Sequence, residues 1–225
     1  MMPKRKFLVR LFMLIIIGSI GCAVYLNSSQ YLFKKAYQKE QEGDFKDAIE
    51  YLSKIIRKEQ NNLPALMRRG VNKSKAGDFQ EAIDDYMWAL EIDSDNVMAH
   101  YTIGLNYWKL DSLKLAEEYL SKAIELIPPF LVLEDGTPSD PFYVYESEIK
   151  YERAFLYYEQ YNYKLALQDF LFCLKTNYRS GEAAFYIGNI YGIHDMSDEE
   201  CFYYKKALNL NFEEARTYIQ EHCNN

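Results

Sequence analysis

The residues able to do chemistry are few and scattered. The 225-residue chain has three histidines, His100, His194 and His222, and four cysteines, Cys22, Cys173, Cys201 and Cys223. No C-x-x-C pair exists, and the spacings match no zinc pattern. There is no Gly-rich phosphate loop, no H-E-x-x-H and no G-x-S-x-G. Three of the cysteines lie in the body of the chain. An odd number implies no disulfide framework, and a Cys201–Cys223 bridge is left open by sequence alone. His194 and His222 read as solvated. The acidic pairs Asp84–Asp85, Glu117–Glu118 and Glu199–Glu200 read as solvated helix faces rather than general acid–base pairs. On this reading the chain is not an enzyme and takes no metal or cofactor.

The balance of charge narrows the partners. The formal net charge is −7, and Lys4, Arg5, Lys6 and Arg10 are the only charges in the first 26 residues. Without them, 22 basic residues face 33 acidic ones, leaving −11. A body this acidic argues against nucleic acid, whose phosphates need a basic face. It argues equally against a strongly acidic partner. The 10 glycines and 6 prolines are few, which favours long helices over a turn-rich β fold. The excess is aromatic, with 21 Tyr and 13 Phe.

The first 26 residues, MMPKRKFLVRLFMLIIIGSIGCAVYL, read as a membrane address. A stretch from Phe7 to Leu26 is apolar apart from Arg10, whose stem can carry its charge to the headgroups. Twenty helical residues span about 30 Å, roughly a bilayer core. The basic residues precede the apolar run, so the N-terminus stays cytoplasmic and the body is exported. Three readings compete: an uncleaved signal anchor over about 7–26, a lipoprotein signal and a cleaved secretory signal. Ser19–Cys22 resembles a lipobox, which makes Cys22 the lipidation candidate. It departs from that pattern at Ser19, where Leu is usual.

What remains must position any functional residue, and it is organised by repetition. Ala48, Ala82 and Ala116 are each 34 apart; Ala166 follows after 50 and Glu200 after 34 more. Twelve residues before each stand Ala36, Gly70, Gly104, Ala154 and Gly188. Within a unit, Ala82, Tyr86 and Leu90 fall on one face of a helix. Upstream, Leu66 and Gly70 lie on a second helix, and a short "AGD" or "EGD" turn joins the two. Each unit is therefore a helical hairpin that buries its apolar face only against a neighbouring copy.

The stretches Ile103–Pro128, Gly70–Asp93 and Ile187–Leu210 carry the pattern of the tetratricopeptide repeat, and the chain resembles that family. The resemblance implies an all-α, right-handed superhelical solenoid of about five hairpins with a C-terminal capping helix. The units run about 29–62, 63–96, 97–130, 147–180 and 181–214, after an N-terminal segment 1–28. An insertion spans 131–146, within a proline-bearing stretch Pro129–Ser147, and a cap spans 215–225. Unit five departs from the pattern, with Glu200 at the Ala position, so its second helix is either loosened or begins late. His100 sits where the family often has a core aromatic.

The resemblance also implies that the first helix of each hairpin lines a concave groove through its fifth, ninth and twelfth positions. These are Phe33 and Tyr37; Met67 and Val71; Tyr101, Leu105 and Trp108; Tyr151, Phe155 and Tyr158; and Phe185 and Asn189. The Lys and Asn clamp by which some relatives hold a C-terminal carboxylate is missing. The set reads as an apolar and aromatic slot for a peptide or partner helix. The candidate partner-binding residues are Met67, Tyr101, Leu105, Trp108, Tyr151, Phe155 and Tyr158. The alternative is that these rings simply pack between units. The resulting expectation is a membrane-tethered interaction scaffold on the extracytoplasmic side of a bacterial envelope. Two alternatives remain: a lipoprotein subunit of an outer-membrane assembly or secretion complex, and an enzyme or regulatory subunit with a site near the insertion.

Overall fold

The computed structural model describes residues 28–127 and 144–223. The N-terminal stretch read as a membrane address, with Cys22, and most of the 131–146 insertion lie outside the described residues. Among the described residues there are eleven helices and no strand. They are α1 (Ser29–Gln41), α2 (Phe45–Lys58), α3 (Leu63–Ala76), α4 (Phe79–Ile92), α5 (Val97–Lys109), α6 (Leu113–Leu126), α7 (Glu146–Glu159), α8 (Tyr163–Lys175), α9 (Ser180–Ile193), α10 (Ser197–Asn209) and α11 (Ala215–His222). The all-α hairpin architecture read from the sequence is the one observed. The chain forms two compact units. One, up to Ile92, holds the α1–α2 and α3–α4 hairpins. The other, from Asp93, holds α5–α6, α7–α8, α9–α10 and the cap α11.

Local chemistry sets the helix ends. Side chains of Ser28, Asp44, Asn62 and Asn96 each accept from the backbone N–H three residues on, capping α1, α2, α3 and α5. The residue in the turn within each hairpin is left-handed: Gly43, Gly77, Asp111, Tyr161 and Asp195. Glycine takes that backbone without strain, whereas Tyr161 holds it against its own Cβ.

The small residues on the first helices are there for contact. A Cβ on Gly70 would lie 2.6 Å from the Tyr86 ring, and one on Gly104 2.8 Å from Leu120. Each bulky side chain four residues past the fixed alanine thus seats in the notch of its own hairpin. Unit five keeps the register, since α10 begins at Ser197, 34 residues after the start of α8. Its Glu200 fits because Gly192 leaves room: a Cβ there would meet the Glu200 carboxylate at 2.6 Å.

Candidate partner-binding site

The first helices of the second unit carry the site. Four of the five fifth positions, expected to be open, turn inward instead: Met67, Tyr101, Tyr151 and Phe185, with Phe33 half-buried. Tyr151 is 2% exposed, Tyr101 7% and Met67, in the first unit, 2%. The cause is what lies over them. Tyr151 meets Phe155, Phe170 and Tyr178 edge-on, and the Arg179 guanidinium lies 4.5 Å over its ring. A long side chain at the fifth position therefore runs under the end of its hairpin's second helix and the turn beyond it. Tyr101 is roofed similarly, in a cluster with Val144 and Ile149 flanked by Ile124 and Ile127.

The ninth and twelfth positions remain half-buried and available: Leu105 and Trp108 on α5, Phe155 and Tyr158 on α7. The Trp108 indole donates to Glu159 Oε2 at 2.7 Å, which ties its ring to α7. Phe155 and Tyr158 both pack edge-on against Tyr186 of α9, at 4.5 and 5.5 Å between ring centres. Tyr186 continues the stripe and was not singled out from the sequence. Phe185 was, but it is buried among Phe212, Tyr204 and Tyr218 at the capped end. Asn189 accepts from the Tyr204 hydroxyl at 2.7 Å. In the first unit, Tyr37 is 52% exposed under the Arg68 guanidinium, with Phe33 and Val71 half-buried.

Carboxylates line the same stripe. Glu148 and Glu152 stand four apart on α7, flanking Tyr151 on the helix face that carries Phe155. The Tyr101 hydroxyl lies beside Glu148, and desolvation holds the Glu148 carboxyl above its ordinary range. Desolvation raises Glu152 too, helped by Glu148 and Glu182 and opposed by Arg179 and Lys109. Neither is in an ion pair among the described residues. Arg179 is committed to Glu182 at 2.8 Å. The Tyr151 hydroxyl, buried beside Glu182, has no well-formed hydrogen bond.

Several charges expected in solvent are structural instead. Asp85, read as a solvated face, is 3% exposed. It takes a two-pronged bond from Arg69 at 2.6 and 2.8 Å, while Arg69 also donates to Ser53. The second unit repeats the device with Arg153, Asp169 and Ser121. Glu117 accepts from the Tyr157 hydroxyl, and buried Glu200 pairs with His222 at 3.2 Å. The buried acids among them, Asp85, Asp169 and Glu200, each have a polar partner, which a solvated face would not need.

The remaining chemical groups are inert or engaged. The Cys173 thiol is buried, and desolvation pushes it up to about 12, far from a nucleophile. Cys201 and Cys223 are joined, which fastens the end of α11 to α10. His100 is buried against Tyr119, and its Nε2 meets the Ser94 carbonyl at 3.0 Å. A cleft of about 740 Å³ is lined by His100 and the outer stripe of α6, including Lys114, Glu117, Glu118 and Lys122. Glu117 is held by Tyr157, Ser121 by Arg153, and Lys122 by Glu125. No cluster of metal ligands exists among the described residues.

With this geometry in place, known proteins give the fold its context. Profiles described as TPR repeat and tetratricopeptide repeat match residues 75–111 and 99–130. No curated protein matches the chain. Among solved structures, MamA is 22% identical, with a TM-score of 0.67 over 80% of this chain and 96% of its own. A tetratricopeptide repeat protein from Parabacteroides merdae ATCC 43184 is 23% identical, with a TM-score of 0.65 over 80% of this chain and 66% of its own. YrrB, described as a TPR protein with an unusual peptide-binding site, is 16% identical, with a TM-score of 0.65 over 90% and 97%. The chain carries tetratricopeptide repeats, and its described residues have the fold of tetratricopeptide-repeat proteins.

Proposed function

We propose that the protein is a non-catalytic scaffold that holds a peptide or helix of a partner protein against the ring stripe of α5 and α7. One observation carries this reading. Leu105, Trp108, Phe155 and Tyr158 are only half-buried although they adjoin the second unit's core, and partly exposed rings are what interfaces use. The fold shared with YrrB supports a peptide ligand. The N-terminal segment would hold the scaffold at a membrane with its repeats extracytoplasmic. The Cys201–Cys223 bridge supports that side, because disulfides persist in oxidising compartments. A lipid on Cys22 would change the tether and not the binding face. If the anchor spans, a Cys22→Ser variant stays in carbonate-washed membranes; its release would identify the lipoprotein.

The binding test uses full-length protein in detergent and a random dodecapeptide library displayed on phage. Peptides selected on the native chain should bind a Trp108→Ala, Tyr158→Ala variant about a hundredfold more weakly, with helicity unchanged. Unfolding of the variant would make the rings packing elements. Unchanged binding would move the contact surface elsewhere.

A further inference from the structure

The stripe is not evenly apolar, and its polar members are poorly provided for. Glu148 and Glu152 are like charges one helical turn apart, an arrangement that destabilises a helix even in water. Here they are also partly desolvated. The nearby cations offset this at Glu152 but pair with neither carboxylate. Arg179 is bonded to Glu182 and lies over the Tyr151 ring, and Lys109 lies 5.9 Å from the Trp108 ring. Elsewhere the same protein treats its carboxylates differently: buried Asp85 and Asp169 and the largely covered Glu40 each receive a bidentate arginine. A second observation points the same way. The Tyr151 hydroxyl, on the helix turn between the two carboxylates, is buried and lacks a well-formed bond. Glu148 takes a bond from the neutral Tyr101 hydroxyl, but neither carboxylate is in an ion pair among the described residues, and the Tyr151 hydroxyl beside them lacks a well-formed bond.

We propose that Glu148, Glu152 and Tyr151 form a subsite for an arginine or lysine side chain of the bound partner, whose neighbouring apolar residues rest on Trp108, Phe155 and Tyr158. The chemistry is complementary at each point. A guanidinium or ammonium supplies charged donors, which two carboxylates and a phenol oxygen can accept. The rings beside them offer cation-accepting faces. This inference rests on the groove reading above and gives the partner its chemistry: a basic, apolar segment, not an acidic or neutral one.

The test extends the library selection. Peptides selected on the native protein should be enriched in Arg or Lys next to apolar residues. Selection on a Glu148→Gln, Glu152→Gln variant should lose that enrichment, and native-selected peptides should bind it at least tenfold more weakly. Peptides rich in apolar residues without basic excess, lost on Trp108→Ala, Tyr158→Ala, would overturn the cation subsite and leave the groove standing. Enrichment indifferent to both variants, or no enrichment at all, would overturn both. Stability gives an independent reading. Both carboxyls titrate above their unfolded values, so each costs the unliganded fold stability when ionised and the cost vanishes as pH falls below the unfolded value. Tyr101, Tyr151, Tyr178, Lys109, Arg179 and Glu182 face them, and of these Glu182 alone is a carboxylate. The Gln variant should therefore melt higher than the native protein at neutral pH, with the gap closing by about pH 4. A lower melting temperature at neutral pH would make the carboxylates structural and overturn the proposal.

Discussion

At the scale of single residues, the smallest side chains are the most constrained. Gly70 faces the Tyr86 ring so closely that any Cβ must displace it. Gly70→Leu is expected to cost about 3 kcal/mol by overpacking, read from urea melts; an unchanged midpoint would rule out close approach. This constraint was legible in the sequence, because Ala36, Gly70, Gly104, Ala154 and Gly188 are small at one register position. The charges were less legible. Read one at a time, Asp85 and Glu200 look like solvated acids. Their burial shows only when partners are counted across helices: Arg69 lies 16 residues before Asp85, and Arg153 lies 16 before Asp169. That recurrence at matched positions in units two and four was the available signal. Arg153→Ala should cost about 3–5 kcal/mol by stranding the Asp169 carboxylate. The same melts would show a smaller loss for Arg153→Met with Asp169→Leu, since no charge is then left buried.

At the scale of elements, hairpins came readily from the sequence because a 34-residue period and a 3.6-residue period agree. The orientation of the long side chains did not. Whether a residue on the first helix faces a groove or is covered depends on what lies over its place on the helix. Tyr151 sits beneath Tyr178 and Arg179 of the following turn, whereas Phe155, and Tyr158, which is as long as Tyr151, stay half-buried a turn or two further on. The cap illustrates a second limit. The sequence marks Ala215, Tyr218 and Ile219 as inward residues of a short helix; Ala215 is buried and Ile219 half-buried, but Tyr218 is exposed, its ring meeting Phe185 edge-on. The Cys201–Cys223 bond, in contrast, depends on how α11 lies against α10, a tertiary quantity. An eight-residue helix is too short to be stable alone. The bond holds α11 against the end of the core, near Phe185 and Tyr204. Closing a loop of 22 residues contributes about 3 kcal/mol by chain entropy. Reduction should lower the melting temperature and speed hydrogen exchange first in residues 210–223. Uniform loss of protection along the whole second unit would mean that the cap is no separate element.

At the scale of the whole molecule, charge acts at two ranges that experiment can separate. Residues 27–225 carry 22 basic and 33 acidic side chains, a diffuse negative field that a basic partner meets before any contact forms. Glu148 and Glu152 are two of the 33 acids in that field, and their distinct effect comes after docking, when a cation is held in contact with them in a partly desolvated site. The diffuse field governs encounter and should appear in the association rate. The subsite governs retention and should appear in the dissociation rate. For a basic peptide selected on the native protein, raising salt from about 20 to 200 mM should slow association roughly tenfold by screening the field, with little change in dissociation. Glu148→Gln with Glu152→Gln removes only two charges of the excess. It should leave most of the salt dependence of association in place and speed dissociation at least tenfold. Stopped-flow or surface-based kinetics on the two proteins resolves the two effects. Should the double substitution abolish the salt dependence instead, those two carboxylates would themselves be the steering charge, and the rest of the acidic body would have no part in bringing the partner in.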